Sequence, residues 1–195
     1  MTRTSLFRAP RAMMGGAALT ALALLAPAGQ ATAAFSNGRT TAEAPVSAGS
    51  YQLRFVKRST TNSTLSIVRN GKAVANFRAG SGISTNACVR NKGWLPNGTY
   101  TIKGHYTSYN GRVIKGYAID LGSKKCHNGT PRTELFIHSE MTRSGGQGGT
   151  ESRRWDGTGD YKSNGCIKMR PEDIKKLFRN LNRNGWPKSL QVVGG

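Results

Sequence analysis

The feature that most restricts the fold is an Asn-Gly dipeptide, Asn70-Gly71, between two segments with strand-like alternation. Residues 64–69 and 72–77 show the period of two that is typical of β-strands with one buried face. Asn-Gly readily adopts the positive φ angles of a type I′ turn, the commonest two-residue connection of a β-hairpin. The sequence therefore predicts an antiparallel hairpin here, and with it a β-sheet as the framework of the fold.

Other segments extend this sheet. A second dipeptide, Asn110-Gly111, predicts another hairpin, whereas Gly80-Ser81-Gly82 predicts a break after the first one. Further segments rich in β-branched and aromatic residues have the composition of strands; they are residues 51–56, 99–103, 105–107, 113–121, 133–138 and 190–193.

One segment has the period of a helix instead. It begins at Pro171, and its apolar residues recur at the i, i+3, i+4, i+7 spacing of a core-facing stripe, namely Ile174, Leu177, Phe178 and Leu181. Asn184-Gly185 is expected to end it. The sequence predicts one mainly β domain, residues 51–195, with a single substantial helix.

The N-terminal segment has the pattern of an export signal. Three arginines precede an apolar run from about Met13 to Pro27, and Ala31-Thr32-Ala33 has the small-x-small pattern of a signal peptidase site. We expect residues 1–33 to be a cleaved Sec-type signal peptide and the Ala/Ser/Thr-rich residues 34–50 to be a flexible leader. The alternative, a membrane anchor, requires a longer apolar run. The expected location is outside the cytoplasm, secreted or in the cell wall.

The charge of the chain predicts an anionic environment. Its formal net charge is +20, of which the N-terminal segment contributes three. Such a charge often indicates nucleic acid binding, but an exported protein more often encounters anionic envelope polymers. We therefore expect attraction to those polymers and no nucleic acid partner. A solvated basic surface is the alternative.

Three cysteines in an oxidising compartment leave one unpaired. Cys88 and Cys126 each precede basic, Asn/Gly-rich, loop-like sequence, so we predict a disulfide between them. Cys166 is then the free thiol, and it follows Gly165 and precedes Ile167 and Lys168. Lys168 would favour the reactive thiolate, and Gly165 would let backbone N–H groups converge on an oxyanion. Such a thiolate should react quickly with iodoacetamide even at pH 6. The alternative role for Cys166 is a small buried apolar residue.

His138 is the best candidate for the base. It ends a strand-like segment upstream of Cys166, beside a long polar loop, residues 144–165, that we interpret as a substrate-side flap. A purely structural histidine is the alternative. His105 and His127 are weaker candidates, since one lies in a predicted hairpin and the other adjoins a predicted disulfide cysteine. The sequence contains no metal-binding or phosphate-binding motif, so we expect no metal and no cofactor.

These residues resemble the signature of the L,D-transpeptidase (YkuD-type) family. In that signature a histidine is followed by a [Ser/Thr]-His-Gly-Cys stretch and usually an arginine. Here His138 precedes Ser163-Asn164-Gly165-Cys166-Ile167-Lys168. Residues 95–102 resemble the family's Pro-x-Gly-x-[Phe/Tyr] turn and strand, and the predicted helix follows the cysteine, as in the family. The resemblance covers residues 65–193.

The resemblance implies a β-sandwich domain that remodels bacterial peptidoglycan, and so affects wall crosslinking and cell shape. Cys166 would attack the carbonyl that joins the third stem residue to a D-amino acid, and His138 would be the base. Gly165 and Cys166 amides would form the oxyanion hole, and Ser163, Asn164 and Lys168 would contact substrate. Asn164 replaces the family's second histidine and Lys168 its arginine, changes that bear on substrate recognition. The expected partners are stem peptides bound by a monomer.

Three alternatives stay open at this point. An L,D-carboxypeptidase would use the same residues with water as the acceptor. A sortase shares the His-then-Cys order but requires a threonine three residues before its nucleophile, where Cys166 has Ser163. A non-catalytic wall-binding module would keep the fold and the charge without turnover.

Overall fold

The computed structural model describes residues 51–195, so the predicted signal peptide (1–33) and leader (34–50) lie outside the described residues. Its elements, in chain order, are β1 Tyr51–Lys57, β2 Ser63–Arg69, β3 Lys72–Ser81, β4 Gly98–Thr101, β5 Gly104–Asn110, β6 Lys115–Lys125, β7 Pro131–His138, β8 Ile167–Met169, α1 Pro171–Asn184 and β9 Ser189–Gly194. No helix within these residues has the length and apolar content needed to cross a membrane.

The nine strands form one sheet in the order β4-β9-β1-β2-β3-β8-β7-β6-β5. Strands β1 and β9 pair in parallel, as do β7 and β8, and the other neighbours are antiparallel. The sheet is curled, so that its first strand comes close to its last two. The Lys103 amide, just after β4, donates to the Asp120 carbonyl of β6 at 2.8 Å. Both halves of the sheet contribute to one apolar core. The predicted mainly β fold with one substantial helix is confirmed.

The two Asn-Gly hairpins differ in their turns. Asn70 and Gly71 have φ angles of 51° and 76°, as a two-residue type I′ turn requires. The second hairpin exists, but Asn110 stays in β5, paired with Lys115, and Gly111 donates to the Ile114 carbonyl across a four-residue loop. The predicted hairpin is therefore present, and its turn is longer than that of the first because the strand ladder continues through the asparagine.

The predicted break of the strand pattern at Gly80-Ser81-Gly82 is wrong in part. Strand β3 runs through Ser81, because Gly80 and Ser81 pair with Lys168 and Ile167 of β8. A side chain at position 80 would meet the Thr60 carbonyl oxygen at 2.3 Å, so the glycine permits close backbone packing within a strand.

The helix packs as its pattern predicts. Ile174, Leu177, Phe178 and Leu181 are at most 2% exposed. The Phe178 ring meets the Tyr117 ring of β6 edge-on, with 4.9 Å between centroids. Each such side chain contributes about 1.5–3 kcal/mol by leaving water, so α1 is fixed to this face of the sheet.

The predicted disulfide joins Cys88, in the loop between β3 and β4, to Cys126 just after β6, with 5.4 Å between the Cα atoms. Cys166 is the free cysteine. Any chemistry that requires a thiol therefore depends on Cys166.

Candidate active site

The parallel pairing of β7 with β8 brings the two candidate residues to one face of the sheet. Ile137 pairs with Ile167, and His138 pairs with Lys168. Cys166 lies one residue before β8, and extending the alternation of side chains to it places it on the face of Lys168 and His138. The two isoleucines point to the other face and are fully buried in the core. Cys166 and His138 are thus diagonal neighbours, and within residues 51–195 no hydrogen bond joins them.

His138 is held as a neutral ring with one nitrogen available. It is 7% exposed, and its Nδ1 lies 3.1 Å from the Ser139 carbonyl oxygen. A carbonyl only accepts, so Nδ1–H donates and Nε2 is left as an acceptor. Burial, and then the Lys168 charge, lower the pKa of His138 to about 3, although the Ser139 contact opposes this. At neutral pH the ring is therefore neutral, and its Nε2 carries no proton.

Cys166 rests as a protonated thiol. The residue is partly exposed, but its sulfur lies deep enough for burial to raise its pKa to about 11. The Phe136 amide and the charges of Lys168 and Arg132 oppose this shift without reversing it. The thiol donates a hydrogen bond to the Glu134 carbonyl oxygen, which lies 3.5 Å from the sulfur. Desolvation thus outweighs the nearby positive charges and shifts the pKa in the direction opposite to the predicted thiolate.

The Lys168 ammonium is already paired. It forms an ion pair with the Glu140 carboxylate, and the two side chains are only 10% and 13% exposed. Burial raises the pKa of Glu140, and the contact with Lys168 lowers it. A substrate carboxylate, the partner predicted for Lys168, would have to compete with Glu140. Sequence reasoning missed Glu140, whose only signal is its place two residues after His138.

Ser163 shapes the turn that carries the thiol. Its Oγ accepts from the amides of Gly82 (2.9 Å) and Gly165 (3.1 Å) and donates to the Cys166 carbonyl (2.6 Å). The Gly165 amide is therefore already bonded, and its place in an oxyanion hole stays a prediction that would require this bond to break. The Gly165 carbonyl accepts from Ser81 Oγ at 3.3 Å. Because a trans peptide directs C=O and N–H oppositely, the Cys166 amide points away from Ser81 and stays the candidate oxyanion donor.

Asn164 and Gly165 rest against a buried arginine that sequence reasoning also missed. The Asn164 carbonyl accepts from Nη2 of Arg132 at 3.1 Å. Gly165 has a φ of 120°, and a Cβ atom there would lie 2.0 Å from the same Nη2. Only glycine fits at position 165, for reasons of both space and backbone angle.

The segment predicted as a flap is organised by its own contacts. It contains two 3₁₀ turns, Glu151–Arg153 and Thr158–Tyr161. Asp160 accepts from the amides of residues 156 and 157, both at 2.7 Å. Nη1 of Arg153 donates to the Val113 carbonyl at 2.7 Å, which joins the segment to the loop between β5 and β6. It therefore lies beside that hairpin.

Two groups of residues within 51–195 have the spacing of metal ligands. Cys88 and Cys126 lie near His127, but their sulfurs are bonded to each other. The second group is acidic, namely Glu151, Asp156 and Asp160, and its first two carboxylates pair with Arg154. Neither group therefore offers a free set of ligands.

Solved structures of low identity resemble this chain, and no curated protein matches it. An L,D-transpeptidase from Xylanimonas cellulosilytica is 14% identical, covering 74% of this chain and 61% of that one, with a TM-score of 0.37. The helical cell shape determining protein Pgp2 of Campylobacter jejuni is 12% identical, covering 76% and 51%, with a TM-score of 0.49. L,D-transpeptidase 3 of Mycobacterium tuberculosis is 16% identical, covering 73% and 60%, with a TM-score of 0.40.

The chain spans between half and about three fifths of the length of these proteins. None of the three reaches a TM-score of 0.5, so the family assignment rests on the domain match. Residues 54–192 match the family model of the L,D-transpeptidase catalytic domain, YkuD. This match spans most of the chain, and the protein belongs to the YkuD family of L,D-transpeptidase catalytic domains.

Proposed function

We propose that this protein is a peptidoglycan L,D-transpeptidase in which Cys166 is the nucleophile and His138 the general base. The observation that carries the proposal is the state of His138. The ring is neutral, its Nδ1 is committed to the Ser139 carbonyl, and it lies on the sheet face that also bears the free thiol. The family membership of residues 54–192 supports the substrate class.

The first half-reaction forms an acyl-enzyme. Nε2 of His138 takes the thiol proton while Sγ of Cys166 attacks the carbonyl between the third stem residue and the terminal D-amino acid. The Cys166 amide faces the oxyanion that develops. The C–N bond then breaks, and the amine leaves with the proton from His138. The product is a thioester on Cys166 and a free D-amino acid.

The second half-reaction transfers the acyl group. An amine of another stem attacks the thioester and gives its proton to His138. The C–S bond breaks, and the sulfur recovers that proton as a thiol. Because a thiol with a pKa of about 11 is weakly nucleophilic, proton transfer has to accompany attack. The resting enzyme therefore avoids a standing thiolate that oxidants could attack.

The location and the charge belong to the same proposal. Residues 1–33 would direct export, and the net charge of +20, less the three arginines of that segment, would concentrate the protein on anionic wall polymers. An L,D-carboxypeptidase outcome differs only in using water as the acceptor. A non-catalytic wall-binding module would keep the charge, but its binding would not depend on a neutral His138 ring.

The test is mass spectrometry of products after incubation with tetrapeptide-stem muropeptides. The transpeptidase should yield crosslinked dimers that have lost one terminal D-amino acid, and Cys166→Ala and His138→Gln should abolish them. His105→Gln is the matched control, because that ring stacks on Trp186 at 3.6 Å, away from the thiol. Free tripeptide without dimers would assign a carboxypeptidase, and unchanged substrate would contradict both enzymatic readings.

A further inference from the structure

Arg132 is a buried cation that donates to main-chain carbonyls. It lies in β7 and is 3% exposed. Nη1 donates to the carbonyls of Trp94 (3.2 Å) and Ala87, and Nη2 to those of Gly93 (2.9 Å) and Asn164 (3.1 Å). Within residues 51–195 it forms no ion pair with a carboxylate. A buried charge without a counter-ion is costly, so its environment has to satisfy it by hydrogen bonds.

Three of the four acceptors lie in one loop. Ala87, Gly93 and Trp94 belong to the connection between β3 and β4, which the disulfide at Cys88 fixes to the end of β6. The disulfide therefore closes the loop whose carbonyls hold the guanidinium. The planar fork of arginine suits this task, because it has several donors in fixed directions.

The fourth acceptor belongs to the turn that carries the nucleophile. Asn164 lies two residues before Cys166, and the neighbouring Gly165 has no room for a side chain against Nη2. The groups charged or titratable around the sulfur are His138, Lys168, Glu134 and Arg132, with Glu140 paired to Lys168. The charge of Arg132 lowers the pKa of Cys166, against the larger effect of burial.

We propose that Arg132 is a positioning residue, whose guanidinium connects the disulfide-closed loop to the Asn164-Gly165 turn and holds Cys166 in place for attack. This inference rests on the proposed function, since it assigns a role toward the nucleophile. It makes the disulfide part of the support of the thiol, through Arg132. It also explains why position 165 is glycine: the guanidinium occupies the space of a side chain.

The test measures the rate of Cys166 alkylation by iodoacetamide against pH, without reductant, so that Cys166 alone reacts. Arg132→Met should raise the midpoint of the profile by about one pH unit. At pH 8 the rate should fall about threefold, because the thiolate is tenfold rarer but more nucleophilic. Arg78→Met is the control, because Arg78 lies over the Tyr161 ring (4.4 Å) and should leave the profile unchanged.

Two further variants separate the charge from the geometry. Arg132→Lys keeps the charge but cannot reach loop and turn at once, so its midpoint should stay near wild type while muropeptide turnover falls with KM little changed. Cys88→Ser/Cys126→Ser keeps Arg132 but releases three of its acceptors, so the guanidinium is no longer held near the sulfur and the midpoint should rise. These two variants decide the question if Arg132→Met does not fold.

An unchanged alkylation profile in both Arg132→Met and the disulfide variant would overturn the proposal. So would full turnover in Arg132→Lys alongside an unchanged profile in the disulfide variant. Alkylation requires no peptidoglycan, so the profiles would still report on Arg132 if the wild-type protein proved inactive on muropeptides. In that case the proposed function would fail, and the alkylation profiles alone would decide whether Arg132 positions Cys166.

Discussion

Replacing Gly165 by alanine should be unusually costly, for two reasons that can be measured apart. The φ angle of 120° at this position strains any residue with a side chain, by about 1–3 kcal/mol. The new Cβ atom would also lie 2.0 Å from Nη2 of Arg132, which is too close for any contact. The guanidinium would have to move and give up its bonds to Gly93 and Asn164.

The expected loss follows from those contacts. The two hydrogen bonds of Nη2 involve a charged donor, and such bonds are each worth about 1.5–3 kcal/mol. Together with the backbone strain, Gly165→Ala should lower the free energy of unfolding by about 4–9 kcal/mol. A domain has only about 5–15 kcal/mol in total. The variant should therefore be close to unfolding.

The assay is urea unfolding monitored by tryptophan fluorescence. Gly71→Ala is the matched control, because Gly71 also has a positive φ (76°) but nothing within 4 Å of its ideal Cβ position. It should lose about 1–2 kcal/mol from strain alone. In an Arg132→Ala background, Gly165→Ala should cost little more than that control. An equal cost of Gly165→Ala with and without Arg132 would refute the clash.

Three other predictions concern stability. Cys88→Ser/Cys126→Ser should lose about 4 kcal/mol by the chain-entropy estimate for a separation of 38 residues, and calorimetry should show a Tm roughly 8–16 °C lower; a shift under about 2 °C would contradict it. The pKa of His138 falls to about 3 on folding, so the folded state binds fewer protons than the unfolded state between pH 6.5 and 3. Wild type should lose up to about 1.4 kcal/mol per pH unit of acidification there, and urea unfolding of His138→Gln should lack that part of the slope. Glu140→Gln leaves the Lys168 cation buried and unpaired, which should cost about 3–5 kcal/mol in urea unfolding, and adding Lys168→Met should recover most of the loss.

Local patterns predicted most of the framework. Both the strand alternation around Asn70-Gly71 and the apolar stripe of the helix, from Ile174 to Leu181, arise because one face of the element is buried. Such a pattern can be read from residues that are close together in the sequence. The cysteine count predicted the disulfide, because pairing in an oxidising compartment leaves few combinations. Strand β8 was missed, since Ile167–Met169 is too short to show any period.

The state of the site could not be predicted in the same way. Lys168 is adjacent to the thiol in sequence and suggested an activated thiolate, but Glu140 neutralises its charge from a position 28 residues away. Arg132 has no local signature, because its acceptors are 32 to 45 residues distant in the chain. The pKa of Cys166 depends mainly on how deeply its sulfur is buried, and that burial exists only after the strands have assembled.

The pairing of β7 with β8 brings the backbones of His138 and Cys166 together without help from most of the chain that connects them. The ladder is flanked by Ser139 and Glu140 on one side and by residues 163–165 on the other, which contact the site, whereas residues 144–155 lie outside the sheet. Lengthening such an excursion costs little, about 0.6 kcal/mol for each doubling. Residues 144–155 can therefore be shortened or extended while the contacts that hold His138 and Cys166 stay in place. For protein engineering this stretch is a point of insertion, where added sequence leaves the framework of the site unchanged.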